Sequence, residues 1–138
     1  MVPQSTRPLP HPDADSRPFW EGCGRGELLL QHCTACGAVR HPPAALCARC
    51  HSDVHEWRRA SGRGHVHSFV VVHHAFHPAW EGRLPYVVAT VALEEGPHVV
   101  TNIVDAPIEQ VCIGLPVEVC FEATGTGLGL ALFRPCAP

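Results

Sequence analysis

Two Cys-x-x-Cys pairs, Cys33-Thr34-Ala35-Cys36 and Cys47-Ala48-Arg49-Cys50, stand ten residues apart in this chain. A thiolate is a soft anionic ligand, and each pair can form a tight knuckle that turns two sulfurs toward one ion. Four sulfurs satisfy the tetrahedral preference of Zn²⁺ at Zn–S distances of about 2.3 Å. Cys33, Cys36, Cys47 and Cys50 are therefore expected to hold a single structural Zn²⁺. Iron in a rubredoxin-like site uses the same four ligands. A closed set leaves no coordination position for water, so the expected role is structural rather than catalytic. Gly37 follows the first pair, where a knuckle needs the left-handed backbone that glycine adopts freely. Two disulfides would need an oxidising compartment. A redox site would be one pair beside a βαβ pattern, not two pairs flanking a short loop. His32, His41 and His51 lie beside the knuckles and are expected to donate hydrogen bonds around the sulfurs or to be solvated. The ion with four thiolates carries a charge of about −2, which Arg40, Arg49 and a protonated His51 are placed to offset.

The chain that must position these sulfurs has 138 residues, 46% of them hydrophobic. That suffices for one ordinary domain or two very small ones, and is too apolar for a disordered protein. No apolar run reaches the length of a membrane span. Residues 1–16 hold four prolines and two aspartates without an apolar block. They are expected to form a mobile tail, neither a signal peptide nor an anchor. The expected location is cytoplasmic, with reduced thiols. All ten basic residues are arginine and the net charge is −3. Proteins that neutralise nucleic-acid phosphates usually carry a basic excess. The remaining Cys23, Cys112, Cys120 and Cys136 are expected to behave as small hydrophobes.

The expected fold is mainly β, with a short N-terminal helix, a rubredoxin-like zinc ribbon and a five-stranded OB-fold barrel. Residues 17–61 form the helix and ribbon, and residues 62–138 form the barrel. Ser16-Arg17-Pro18-Phe19-Trp20-Glu21 opens the helix with Ser16 as its cap. Gly22, Gly24 and Gly26 keep it short. The Phe19-Trp20 pair needs a cover, supplied by the ribbon or by a partner. Three short ribbon strands are expected over 27–32, 39–41 and 54–60. Ser61-Gly62-Arg63-Gly64 is the expected joint. Beyond it the pattern is strands only, over 66–74, 86–93, 98–104, 117–122 and 128–133. Val117, Val119 and Phe121 alternate with Glu118, Cys120 and Glu122, the period-two pattern of a half-buried strand. Five strands in this length fit a small closed barrel of the OB type; a sandwich would need about seven. The long connection 75–85 carries Phe76, His77, Trp80 and Arg83. An aromatic loop on a rigid scaffold often binds something, and the competing expectation is that Trp80 folds back over the barrel.

In order and spacing, one set of residues resembles a known family. It comprises Phe19-Trp20, Gly26-Glu27-Leu28, Leu30-Gln31-x-Cys33-x-x-Cys36-Gly37, Pro42-Pro43, Cys47-x-x-Cys50, Trp57, Ser61-Gly62-x-Gly64, His77-Pro78, Pro85-Tyr86 and Ile113-Gly114-x-Pro116-Val117. The family joins a rubredoxin-like zinc ribbon to an OB-fold and is found beside acyl-CoA-processing enzymes. The resemblance covers roughly residues 18–135. It implies an accessory subunit partnered with a thiolase-like enzyme or a hotdog-fold enoyl-CoA hydratase, with acyl-CoA as a further candidate ligand. The four cysteines carry over as metal ligands and no catalytic residue does. The run Gly22-x-Gly24-x-Gly26 departs from the firmer helix usual in that family. Candidate partner contacts are Phe19, Trp20, Phe76 and Trp80.

The second function weighed is a single-stranded nucleic-acid module, since zinc ribbons and OB barrels both do that work. OB-folds read single strands on their second and third strands, inside a positive groove. Here those strands, 86–93 and 98–104, contain one aromatic residue and no Arg or Lys. A histidine enzyme using His73, His74 or His77 is weaker still in a chain with 11 histidines. Binding to single-stranded DNA or RNA at physiological salt is accordingly expected at a Kd of about 10⁻⁴ M or weaker. A sub-micromolar complex that weakens steeply with salt in a filter-binding titration would overturn this.

Overall fold

Asp13, not Ser16, opens the helix. In the computed structural model, which describes residues 7–138, Asp13 Oδ1 accepts the Ser16 N–H at 2.8 Å. Ser16 Oγ accepts the Asp13 N–H in return at 3.1 Å. This reciprocal pairing satisfies two of the donors that a helix start leaves open, as a capping box does. Arg17 N–H already bonds to Asp13 O at 2.9 Å, one turn ahead of helix α1 (Arg17–Gly24). The expected Ser16 cap is thus corrected: Ser16 makes no cap bond of its own to α1. Its bonds hold the Asp13 carboxyl below the ordinary 3.8. Gly26 closes the other end at φ +77°. Glu27 N–H reaches Gly22 O at 2.8 Å and Gly26 N–H reaches Cys23 O at 3.2 Å, a Schellman turn.

A three-stranded antiparallel sheet follows, in the order β2 (Val39–Arg40), β1 (Leu29–Cys33), β3 (His55–Arg59). Each strand is shorter than its sequence pattern suggests. The ribbon bears on a closed barrel, β4 (Arg63–Val72), β5 (Tyr86–Leu93), β6 (His98–Ile103), β8 (Gly129–Pro135) and β7 (Pro116–Ala123), in that spatial order. The β7–β8 hairpin returns to the start, with Arg63–His65 of β4 paired against β7. One parallel register, Ile103 opposite Phe133, joins β6 to β8. This is the OB arrangement. β4 can serve both β5 and β7 because its register shifts between Val66 and Ser68, and such a bulge bends a strand. The expected alternation on β5 holds, with Val87, Ala89, Val91 and Leu93 all buried.

Gly64 lies inside β4 rather than in the joint, because its position is too crowded for a side chain. A Cβ there would stand 2.3 Å from Ala92 O. The turn into the barrel belongs instead to Gly62, at φ +79°. It is tied down by Val119 N–H bonding to Gly62 O at 2.8 Å and by Ser61 N–H bonding to Glu95 at 2.7 Å. Of the expected N-terminal tail, residues 1–6 lie outside the described residues. Arg7 is packed on the barrel, its Nη1 donating to Asn102 Oδ1 at 2.9 Å.

The glycine run has a second consequence. A Cβ on Gly24 would come within 2.1 Å of Gly127 O, and one on Gly129 within 2.6 Å of Cys23 O. The end of α1 therefore lies backbone to backbone against the β7–β8 hairpin. Through that seam Phe19, Cys23, Leu28 and Leu30 join the same apolar cluster as Val66, Val91, Val117 and Phe133. Helix propensity alone favours alanine over glycine by about 1 kcal/mol. The seam reverses the sign, and Gly24→Ala is expected to lower the free energy of unfolding by about 1–3 kcal/mol, as overpacking does. Chemical denaturation of the two proteins measures it, and a more stable variant would mean that the seam yields.

Candidate metal centre

The two knuckles are built alike. In the first, Cys33 N–H bonds to Ala38 O at 2.8 Å and Gly37 N–H to Cys33 O at 2.9 Å. In the second, Cys47 N–H bonds to Ser52 O and His51 N–H to Cys47 O, both at 2.9 Å. Each turn needs a left-handed residue directly after its second cysteine. Gly37 supplies it at φ +79° and His51 at φ +65°. The expectation for Gly37 holds. His51 is exposed and occupies a backbone position that usually favours glycine.

The four sulfurs converge to within 4.8 Å of one another. Cys33 Sγ lies 3.6 Å from Cys50 Sγ, and Cys36 Sγ lies 3.7 Å from Cys47 Sγ. Four sulfurs set tetrahedrally at about 2.3 Å from one ion would be about 3.8 Å apart. The donor set therefore fits a metal ion. Local dipoles prepare part of it. The Cys36 N–H holds the Cys33 thiol below its ordinary range. The N–H groups of Cys50 and Arg49 lower Cys47 to about 6. At Cys50 the Ser52 N–H also pulls downward, but burial and the neighbouring sulfurs outweigh it and push the thiol up to about 11.

A further residue, Gln31, which enters the sequence expectations only as part of the family motif and without a role there, fixes the loop between the knuckles. Gln31 is 1% exposed, and its Oε1 accepts the Ala44 N–H at 2.9 Å. Arg40 Nη2 donates to Ala44 O, also at 2.9 Å. Ala44 is thus held through both its N–H and its C=O, and Arg40 is engaged with this loop. A glutamine between Leu30 and His32 gives no local sign of this, since its partner is 13 residues away. His41, expected as a hydrogen-bond donor around the sulfurs or as a solvated ring, is instead half-buried against the helix. It packs against Phe19 with ring centroids 4.9 Å apart, and burial pushes it down to about 4.

The aromatic candidates separate by exposure. Phe19 is 5% exposed and lies in the core cluster, so its ring is covered by the fold itself. Trp20 is half-buried at its edge, touching Phe19 in a T-shaped pair at 5.1 Å. Trp80 folds back onto Tyr86, stacked at 4.0 Å, with the Arg7 guanidinium 5.0 Å above its ring. Only Phe76 among these four projects, at 79% exposed. Cys23 is buried and its thiol is pushed up to about 12 by desolvation, consistent with a hydrophobe and not a nucleophile.

Comparison with known proteins places these features together. Residues 20–56 match the ChsH2 rubredoxin-like zinc ribbon domain and residues 57–122 the ChsH2 C-terminal OB-fold domain. A DUF35 domain-containing scaffold protein of Methanocaldococcus jannaschii is 39% identical over 96 residues, which are 69% of this chain and 67% of the relative. The chain belongs to the DUF35 family. A chain of the solved Ltp2-ChsH2(DUF35) aldolase superposes with a TM-score of 0.84 at 38% identity, covering 94% of this chain and 100% of that one. A probable enoyl-CoA hydratase alpha subunit of Thermomonospora curvata is 39% identical over 136 residues, 99% of this chain. The chain spans 42% of that hydratase relative's length. No described helix is long and apolar enough to cross a membrane.

Two outcomes follow for the site. Purified protein is expected to carry close to one metal ion per chain, lost in Cys36→Ser with the barrel's strand signal largely kept. Full occupancy in a Cys36→Ser Cys47→Ser double variant, by elemental analysis, would exclude these ligands. Because a ligating thiol must lose its proton and Cys50 holds its own to about 11, metal affinity is expected to rise with pH. Competition against a chelator across neutral pH reads this directly.

Proposed function

We propose that this chain is a zinc-binding accessory module of an enzyme complex that processes coenzyme A thioesters, and that it brings no catalytic group of its own. The observation that carries this reading is the closed sulfur set. Four thiolates within 4.8 Å fill a tetrahedral sphere, which leaves the strongest chemical site in the chain without a position for substrate. Zinc suits the role because it has no redox chemistry and favours tetrahedral thiolate sites. Metal binding and ribbon folding then form one event, and a cytoplasm that keeps thiols reduced suits such a site.

The partner class comes from the relatives, which bear the names of a hydratase alpha subunit, a scaffold protein and an aldolase complex. We assign the partner as a thiolase-like or hotdog-fold hydratase enzyme acting on an acyl-CoA. Phe76, Trp20 and the Trp80 loop are the docking aromatics in this reading. Phe76 is foremost because its ring is open to solvent and exposed aromatics commonly become interface anchors. The nucleic-acid alternative finds little support in the geometry. The outer face of β5 and β6 presents Val88, Thr90, His98, Val100 and Asn102, none of them a fixed cation.

Co-expression with the partner enzyme, followed by native mass and acyl-CoA turnover, tests the proposal. Phe76→Ala is expected to weaken the complex about thirtyfold, the equivalent of about 2 kcal/mol, while metal content and thermal midpoint stay unchanged. Trp20→Ala, at the edge of the core, is expected to lower the midpoint as well. Partner-independent turnover of an acyl-CoA by the isolated chain would refute the accessory role.

A further inference from the structure

Two hollows open side by side on the barrel. The larger, about 710 Å³, lies between α1, the ribbon loop at Pro42-Pro43 and the strands β6 and β8. The smaller, about 250 Å³, lies between Pro85-Tyr86 and the segment 102–108. They share three lining residues, Arg7, Trp80 and Asn102, and these three bind one another. Arg7 Nη1 donates to Asn102 Oδ1 at 2.9 Å, and its guanidinium sits 5.0 Å over the Trp80 ring. Its Nε lies 3.5 Å from Glu122 Oε2. Both partners are themselves fixed. Asn102 Nδ2 donates to Val87 O at 2.9 Å, and Trp80 stacks on Tyr86. The wall between the hollows is therefore Arg7, Trp80 and Asn102 together, and Arg7 is the member carried by the N-terminal segment.

The chain that delivers Arg7 continues as Pro8-Leu9-Pro10-His11-Pro12. Proline at alternate positions fixes φ and removes backbone donors, which favours an extended strap over a helix or strand. Its far end is pinned by the Asp13–Ser16 capping bonds. Leu9 remains 42% exposed along the way.

We infer that residues 7–12 form a releasable strap with Arg7 as its latch. With the latch closed, the groove between ribbon and barrel is divided into two compartments. With it open, the hollows join into one channel running from Pro42-Pro43 and Trp20 past Trp80 to Ile108, apolar in its larger compartment and mixed in the smaller. The latch includes an ion pair, a side-chain hydrogen bond and a cation–π contact. With the Arg7 and Glu122 side chains 12% and 29% exposed, salt screens the pair only weakly, and none of these residues belongs to the apolar core cluster. It can therefore open without disturbing the apolar core.

The test uses the full chain with its metal and an uncharged apolar dye, N-phenyl-1-naphthylamine, as the probe of the channel. Arg7→Ala is expected to raise dye fluorescence at least threefold, with metal content and thermal midpoint unchanged. Val100→Glu, at an exposed position lining the larger hollow, is expected to abolish that gain when added to Arg7→Ala. Glu122→Gln is expected to give a smaller gain in the same direction. Dye binding equal to the parent in Arg7→Ala would overturn the latch. So would a gain that survives Val100→Glu, or one that comes with a lowered midpoint, because the dye would then be reporting a loosened core.

Discussion

The contact on which the rest of this molecule depends is a bare backbone one, between the end of α1 and the β7–β8 hairpin. Gly24 and Gly129 stand where any side chain would strike a neighbouring carbonyl. Without that approach Phe19 and Cys23 could not reach the barrel cluster. A ribbon of three short strands is too small to sustain itself. It gains stability from the ion on one side and, through the helix, from the barrel on the other. The glycine-rich stretch is therefore a device for close docking rather than a weak helix. Helix propensity, the local quantity, and the seam, the global one, pull in opposite directions at Gly24.

The metal centre follows the same economy of local means. Two turns of one hydrogen-bond pattern deliver two sulfurs each, and backbone N–H groups lower the first thiol of each pair. The four sulfurs already converge to within 4.8 Å of one another, and an ion that binds them takes the place of the Cys50 proton. Gln31 and Arg40 hold the Ala44 peptide between the turns, so the spacing between knuckles is set by hydrogen bonds as well as by chain length. A site so closed is suited to fixing a shape and unsuited to chemistry on a substrate. Outside the metal centre the barrel presents a structured surface.

That surface is organised by Trp80. Its ring receives Tyr86 on one face, from the strand that follows the loop, and lies beneath Arg7 from far upstream. The long connection is consequently folded down along part of its length, while Phe76 stays exposed beside His74. One loop thus carries both a fixed residue and a free one. The fixed residue lines the wall between two hollows with Arg7 and Asn102, and the exposed one projects its ring into solvent.

By itself the sequence determined whatever depends on short spacings. Four cysteines in two pairs specify the ligands, Gly37 specifies a left-handed turn, and the alternation on β5 selects its buried face. These readings succeed because ligand geometry, backbone sterics and strand periodicity act over a few residues. The tertiary structure decided the remainder. Asp13 displaces Ser16 as the helix start because two side chains three residues apart exchange bonds. Gly64 belongs to a strand because Ala92 O lies against it. Phe19 is core, Phe76 is open and Trp80 is folded down, although residue type does not separate the three and the last two share one loop. Arg7 meets Asn102 across 95 residues. No local pattern carries such a pairing, because it exists only once the barrel has closed and brought the two residues to one face.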